Sequence, residues 1–429
     1  MSTIRLKWNL STPYTFYAFF LGMLFLNAQK PMLSKWQEGF LDIHHINTGR
    51  GDAAFMVFPD GTTLLVDAGD MSETHPRTTS SRNAPLVPNN SKSAPQWIVD
   101  YIDQFRPKNQ KRQLDYALIT HYHDDHFGEV DSLRSIAKEG YQLTGIMVVG
   151  MLIPIKKLID RGFHFPIDLK DSEVQSEERF TSDKYGMIPT LKEYWKYIDV
   201  QSSATGLENE ALKVGHTDQI VLKNDSIGYP SFLVRNIASN GTIWTGENTN
   251  TYSLFTQGEY PGENPLSNCI RIDYGKFNYF TGGDISGVNR MGQMDFNSVE
   301  SHIAPIVGPV DVATLNHHGN RDSQNPYYVR AIRPRVWIQQ NWTADHPGEE
   351  VLRRITSKEL YPGDRDIFST VMLQGAKDVI GGRLNQYRSQ EGHIVVRVYD
   401  EGDKYDVFIL NDKSEEREIL AKHGPYTAR

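Results

Sequence analysis

Six consecutive residues, HYHDDH at His121–His126, carry three histidines and two aspartates. They follow the apolar, strand-like run LDYALIT, Leu114–Thr120. Alternate side chains of an extended segment point the same way, so His121 and His123 can bind one metal ion together. Asp125 and His126 lie past the bend and suit a second ion. Imidazole and carboxylate are the ligands expected for zinc, and also for iron or manganese. The plainer alternative is a polar strand-to-helix loop in which an aspartate caps the helix and the histidines are surface groups. Four ligand groups at this spacing, at a strand end, favour the metal.

The rest of the composition narrows what could hold it. Cys269 is the single cysteine, so neither a disulfide framework nor a thiolate zinc cage is available. It lies inside a strand-like run and reads as core rather than nucleophile. No Ser-His-Asp or Cys-His arrangement stands out either. With 429 residues, 39% hydrophobic and 23% charged, the chain can bury a large core. A net charge of −8 without a dense Lys/Arg stripe argues against a basic surface gripping long nucleic acid. A small molecule or a short phosphodiester remains open as substrate.

The N-terminus reads separately. Arg5 and Lys7 precede the apolar run Tyr14–Leu26, and Ala28 follows it. This is the pattern of a secretory signal peptide over residues 1–28, too short for a membrane span, which needs about 20 residues. A buried N-terminal helix is the bland alternative. The expectation is a secreted or periplasmic protein, membrane-anchored if uncleaved, with no other span.

From Phe40 onward the runs FLDIHHINT, AAFMVF and TTLLVDAG read as neighbouring strands, the last two joined by a Pro59–Gly61 turn. Residues 71–96 form a polar, proline-rich loop, and a helix follows over Gln96–Phe105. Apolar spacing at Val130, Leu133 and Ile136 predicts a helix over Glu129–Glu139, and Thr144–Gly150 reads as a buried strand. Residues from about 152 to 262 give no clear topology and read as an insertion capping the site. Strand-like runs resume at Cys269–Tyr274, Phe277–Asp284, Val310–Asn320 and Arg335–Asn341, closing with HIVVRVY and YDVFIL. Helices are expected near Asn325 and Gly348. Alternating strands and helices, with hairpins at the start, predict an α/β (α+β) domain over residues 29–429.

H-x-H-x-D-H after a strand resembles the signature of the metallo-β-lactamase superfamily. The resemblance implies an αββα sandwich, two mixed β-sheets flanked by helices, around two divalent ions. Zn2+ is the first choice, with Mn2+ or Fe2+ as alternatives. LLVDAGD (Leu64–Asp70) resembles the motif whose aspartate, here Asp67, supports the histidine loop without binding metal. TGGD resembles the motif whose aspartate, Asp284, bridges both ions. LNHHG (Leu315–Gly319) resembles the motif of the last ligand, taken as His317 with His318 as the alternative. The implied ligands are thus His121, His123, Asp125, His126, Asp284 and His317.

A narrower likeness rests on INTGRGDA, PDGTTLLVDAGD, HYHDDHFGE, FTGGD, LNHHG and DHP. Together they are similar to the soluble metallo-hydrolase domain of ComEC-type DNA-uptake proteins and related secreted hydrolases, over about 40–150 and 264–412. The wider superfamily places a histidine before the bridging aspartate, and ENPLSNCIRIDYGKFNYF here has none. Asn264, Ser267 or Asn268 would complete the first metal site instead. His216 is the nearby histidine and reads as a surface group. His44 and His45 alternate across the first strand, and neither is expected to bind metal. In the resembled domains the His-Pro matching His346 lies near the substrate, where it would protonate a leaving group or hold a phosphate oxygen. A loop histidine before a helix is the alternative.

The expected function is a secreted metal-dependent hydrolase, phosphodiesterase- or nuclease-like, that attacks with water activated by the ions. Asp125, Asp284 and His346 would carry the chemistry. Two alternatives stand beside it. One is a metallo-hydrolase of a small ester, lactone, β-lactam, thioester or phosphocholine ester. The other is a non-catalytic protein with a decayed metal site.

Overall fold

In the computed structural model, which describes residues 30–181 and 186–429, short strands alternate their side chains between two cores. Met56 of AFMV packs inward between sheets while Phe55 and Val57 face helices. Val336 and Ile338 do the same around Trp337. This period of two is the physical origin of a layered fold.

The first half of the chain gives β1 (Leu41–His45), β2 (Ala54–Val57), β3 (Thr63–Val66), β4 (Leu114–Leu118), β5 (Ile155–Asp160) and β6 (Glu208–Ala211). Next come β7 (Phe232–Ser239), β8 (Thr242–Trp244), β9 (Thr251–Ser253), β10 (Cys269–Tyr274) and β11 (Phe277–Thr281). Then follow β12 (Val312–Thr314), β13 (Val336–Gln339), β14 (Asp366–Ser369) and β15 (Tyr387–Ser389). The chain closes with β16 (His393–Tyr399), β17 (Lys404–Leu410) and β18 (Ile419–Thr427).

One sheet runs β18-β17-β16-β1-β2-β3-β4-β5-β6 and the other β15-β14-β13-β12-β11-β10-β7-β8-β9. Both are mixed. β3 to β6 are parallel, as are β11 to β15, while the remaining pairs are antiparallel. Between the sheets lies a core that includes Leu41, Ile43, Leu64, Tyr116, Ile272 and Ile338. The outer face of the first sheet is covered by helices Ala94–Phe105, Gly145–Leu152 and Met187–Thr205. Helices Val299–Val307, Pro326–Ile332 and Glu349–Thr356 cover the second. The order of layers is helix, sheet, sheet, helix, the αββα sandwich expected above.

Met32–Arg429 forms one compact unit. The signal peptide read at residues 1–28 lies outside the described residues. No described helix is long and apolar enough to cross a membrane.

Three local expectations differ from the structure. Glu129–Glu139 is an irregular loop, not a helix, and Leu133 and Ile136 are 70% and 69% exposed. Asp131 accepts the Leu133 N–H at 2.7 Å, and Arg134 reaches the Asp70 carbonyl at 2.6 Å. Side-chain bonds of this kind compete with helix formation. Thr144–Gly150, expected as a strand, is part of the helix Gly145–Leu152. A short run that is apolar throughout carries no period to tell the two apart. The stretch 152–262, read as an inserted cap, supplies β5 and β6 to one sheet and β7 to β9 to the other.

Parallel strands share an end, and loops leaving the C-terminal ends of such strands are where α/β folds build sites. Here those loops leave β3 at Asp67, β4 at His121, β11 at Asp284, β12 at His318 and β13 at Gln340. They meet in one place.

Candidate metal centre

The site begins at Asp67, just past β3, in the left-handed region at φ 58°. Its Oδ1 accepts the Thr120 N–H at 2.7 Å, and its Oδ2 meets Thr120 Oγ1 at 2.7 Å and His126 Nδ1 at 2.8 Å. Burial raises the Asp67 carboxyl above its usual range, against the pull of His126. Residues 123–128 then wind through a turn in which the Phe127 N–H donates to the His123 carbonyl at 2.8 Å. Gly51 and Gly69 close on this turn. A Cβ on either would fall 2.0 Å or 2.2 Å from the Asp125 carbonyl oxygen, which fixes both as glycine.

Two groups of side chains could each hold an ion, and Asp284 belongs to both. The first comprises Asp125, His126, Asp284 and His318, all buried. His318 Nε2 lies 3.0 Å from Asp125 Oδ2 and 3.5 Å from Asp284 Oδ2. His126 Nε2 lies 3.1 Å from Asp284 Oδ1 and 3.3 Å from His318 Nε2. The second group comprises His121, His123 and Asp284. His121 Nε2 is 3.2 Å from His123 Nδ1 and 3.7 Å from Asp284 Oδ2.

Electrostatics favours a cation here. Burial works against charging His126 and His318, yet Asp284 and the neighbouring carboxylates raise both well above the usual histidine range. Burial likewise opposes ionisation of Asp125 and Asp284, and the facing histidines hold both below the usual carboxylate range. His121 and His123, pushed down chiefly by burial, stay neutral donors. Four nitrogens and two carboxylates converge, with protons on His126 and His318 balancing the acids. A divalent ion that prefers nitrogen and oxygen fits this donor set.

Both outward nitrogens of the first group are also held. His126 Nδ1 meets Asp67, and His318 Nδ1 lies 3.1 Å from Asp52 Oδ1 and 3.2 Å from the Gln340 carbonyl. Such outer partners fix tautomer and ring direction. Asp52 lies in the INTGRGDA motif, but that likeness gives it no role beside the last ligand. Arg77, which ion-pairs with Asp124 beside Asp125, is not marked by any pattern in the sequence, and neither are Glu263 and Arg161. Carboxylates and guanidinium groups scattered across loops carry no spacing signal until the fold brings them together.

One substitution within the expected ligand set follows from the backbone. His318, not His317, joins the donor group. His317 and His318 both take left-handed conformations, at φ 48° and 54°. The His317 N–H also bonds the Gly283 carbonyl at 3.0 Å. That turn sends His318 inward and leaves His317 on the rim, 3.8 Å from Asp284 Oδ2. There its Nδ1 meets Asp322 Oδ1 at 2.8 Å, and its Nε2 lies 3.1 Å from Asn264 Nδ2.

Of the residues expected to complete the first metal site, Asn264 alone reaches this rim, and its buried Oδ1 has no protein partner. Ser267 Oγ bonds the Asn264 carbonyl and receives the Asp284 N–H. Asn268 donates to the Ile119 carbonyl at 2.8 Å. Both brace the backbone. His346 stacks on His318 with ring centres 5.6 Å apart, and burial lowers its imidazole to about 4. It is therefore neutral at ordinary pH. His44 and His45 are buried against Tyr101 and Gln340, and His216 pairs with Asp218. Cys269 is buried in the core.

No family model matches the chain, and no curated protein does. Solved structures do. A mutant of the CmlA beta-hydroxylase matches over 85% of this chain and 55% of its own, with a TM-score of 0.36 and 10% identity. The chain thus spans about half the length of that relative. Zn2+-bound PqqB from Methylobacterium extorquens matches over 83% of this chain and 99% of its own, at 0.37 and 9%. A protein of unknown function from Enterococcus faecalis matches over 77% and 70%, at 0.26 and 8%.

Proposed function

We propose that the chain is a metal-dependent hydrolase working with two divalent ions, zinc first among them. The observation that carries this reading is the single carboxylate of Asp284 shared by two donor groups, one buried throughout and the other buried but for a half-buried His123. Ions bound there would lower the pKa of water and polarise a substrate oxygen. The chain's own part is to hold and orient. His121 and His123 serve one ion, Asp125, His126 and His318 the other, with Asp284 common to both. Asp67 fixes the ring of His126, and the Gln340 carbonyl, with the Asp52 carboxylate alongside, fixes that of His318. His317, with its side chain 17% exposed and braced by Asp322, stands where a substrate oxygen would approach.

As substrate we propose a small or short phosphodiester. Support comes from the rim, where the amide nitrogens of Asn264 and Asn320 both meet His317 Nε2, at 3.1 Å and 3.3 Å, and each keeps a second N–H that an oxygen-rich anion could accept. The basic, apolar start of the sequence supports a secreted or periplasmic location.

The test is hydrolysis of bis(p-nitrophenyl) phosphate by protein loaded with Zn2+ or Mn2+. The expected result is turnover that chelator and Asp284→Ala both abolish. Turnover of a lactone, β-lactam or carboxylic ester in place of the diester would move the substrate class. No turnover of any of them would overturn the hydrolase reading.

A further inference from the structure

The two donor groups are built differently. Carboxylates touch the outward nitrogens of His126 and His318, whereas His121 Nδ1 meets a hydroxyl, Thr120 Oγ1, at 3.2 Å, and the residue between His121 and His123 is held separately. The Tyr122 N–H donates to Glu263 Oε1 at 3.0 Å, and the Tyr122 ring lies beneath the Arg161 guanidinium, 4.6 Å from its centroid. Arg161 and Glu263 grip each other at 2.6 Å and 2.8 Å, at 1% and 4% exposure. Tyr260 donates to the same carboxylate at 3.0 Å.

The pair therefore holds Tyr122 by backbone and by ring. Arg161 comes from the end of β5, and Glu263 immediately precedes Asn264. From the same segment the Asn268 N–H reaches the Thr120 carbonyl at 2.9 Å. This is the stretch in which a third histidine was expected and is absent. A buried ion pair contributes little net stability against an apolar replacement, so its presence here calls for another role.

We propose that Arg161 and Glu263 are the positioning residues of the His121–His123 subsite, standing in for the missing histidine by clamping the loop that carries the other two. The inference rests on the two-ion reading above. It follows that the chain binds two ions unequally, the four-residue group first.

Metal-free full-length protein titrated with Zn2+ by calorimetry, and with Co2+ by visible absorption, tests this. The wild type is expected to take two equivalents, one tight and one weaker. Glu263→Gln and Arg161→Met keep the tight equivalent within about twofold and weaken the other by about 10–100-fold, as outer-shell changes do. Arg161→Lys, which keeps the charge, falls between. Circular dichroism checks the fold. Where Glu263→Gln does not fold, Glu263→Asp and Arg161→Lys carry the test, each weakening the second equivalent by less than about 10-fold and leaving the tight one unchanged. Two unchanged equivalents in the variants overturn the assignment, as do equal losses at both sites or a single equivalent in the wild type. A wild type that binds no metal overturns the metal centre itself.

Discussion

Asp67 Oδ2 lies 2.8 Å from His126 Nδ1, while His126 Nε2 faces Asp284 at 3.1 Å. One ring therefore joins a supporting carboxylate to the one common to both donor groups. Asp67→Asn keeps the left-handed backbone, which asparagine tolerates, and removes the charge. Zinc affinity should fall by about 10–100-fold with the fold intact, as read by competition with a chromophoric chelator.

His317 and His318 are neighbours with opposite assignments. His318→Ala should remove one equivalent of metal per chain, because His318 Nε2 lies within 3.5 Å of two carboxylates. His317→Ala should leave metal content at the wild-type level and lower kcat on whichever substrate is found. Elemental analysis of the two variants side by side separates them.

Metal binding should release protons. His126 and His318 hold theirs above the usual histidine range in the metal-free chain, and a bound ion must displace them. Apparent zinc affinity should therefore rise with pH through neutrality, by up to about two log units per pH unit.

The stability of metal-free protein follows the same groups with definite signs. The raised histidines contribute fully below about pH 6.5, and that contribution is lost as pH rises through their folded values. The depressed Asp125 and Asp284 contribute above about pH 3.8, and lose it as pH falls. The buried, neutral His121, His123 and His346 act in the opposite sense below about pH 6.5. The coupling is therefore read by difference: removing His318 from metal-free protein should lower the melting temperature more at about pH 6 than at about pH 9, and a loss that grows with pH would contradict it.

Much of the centre was legible because its residues are local. Four of the six donors fall within His121–His126, and the sandwich was implied by the resemblance that these motifs carry. What escaped was set by tertiary contact. The choice between His317 and His318 depends on two left-handed residues, which no side-chain pattern encodes. Arg161 and Glu263 meet across 102 positions, and Asp52 reaches His318 from the β1–β2 loop. The uniformly apolar Thr144–Gly150 gave no period to read, and 152–262 hid its strands because β6 and β9 are short, exposed edge strands.

The most direct measurement is metal stoichiometry of wild type and Asp284→Ala, purified without chelator and analysed by plasma mass spectrometry. With Asp284 common to both donor groups, the wild type should carry two ions per chain and the variant should hold neither firmly. A variant that keeps both ions would contradict a shared carboxylate at the heart of the site.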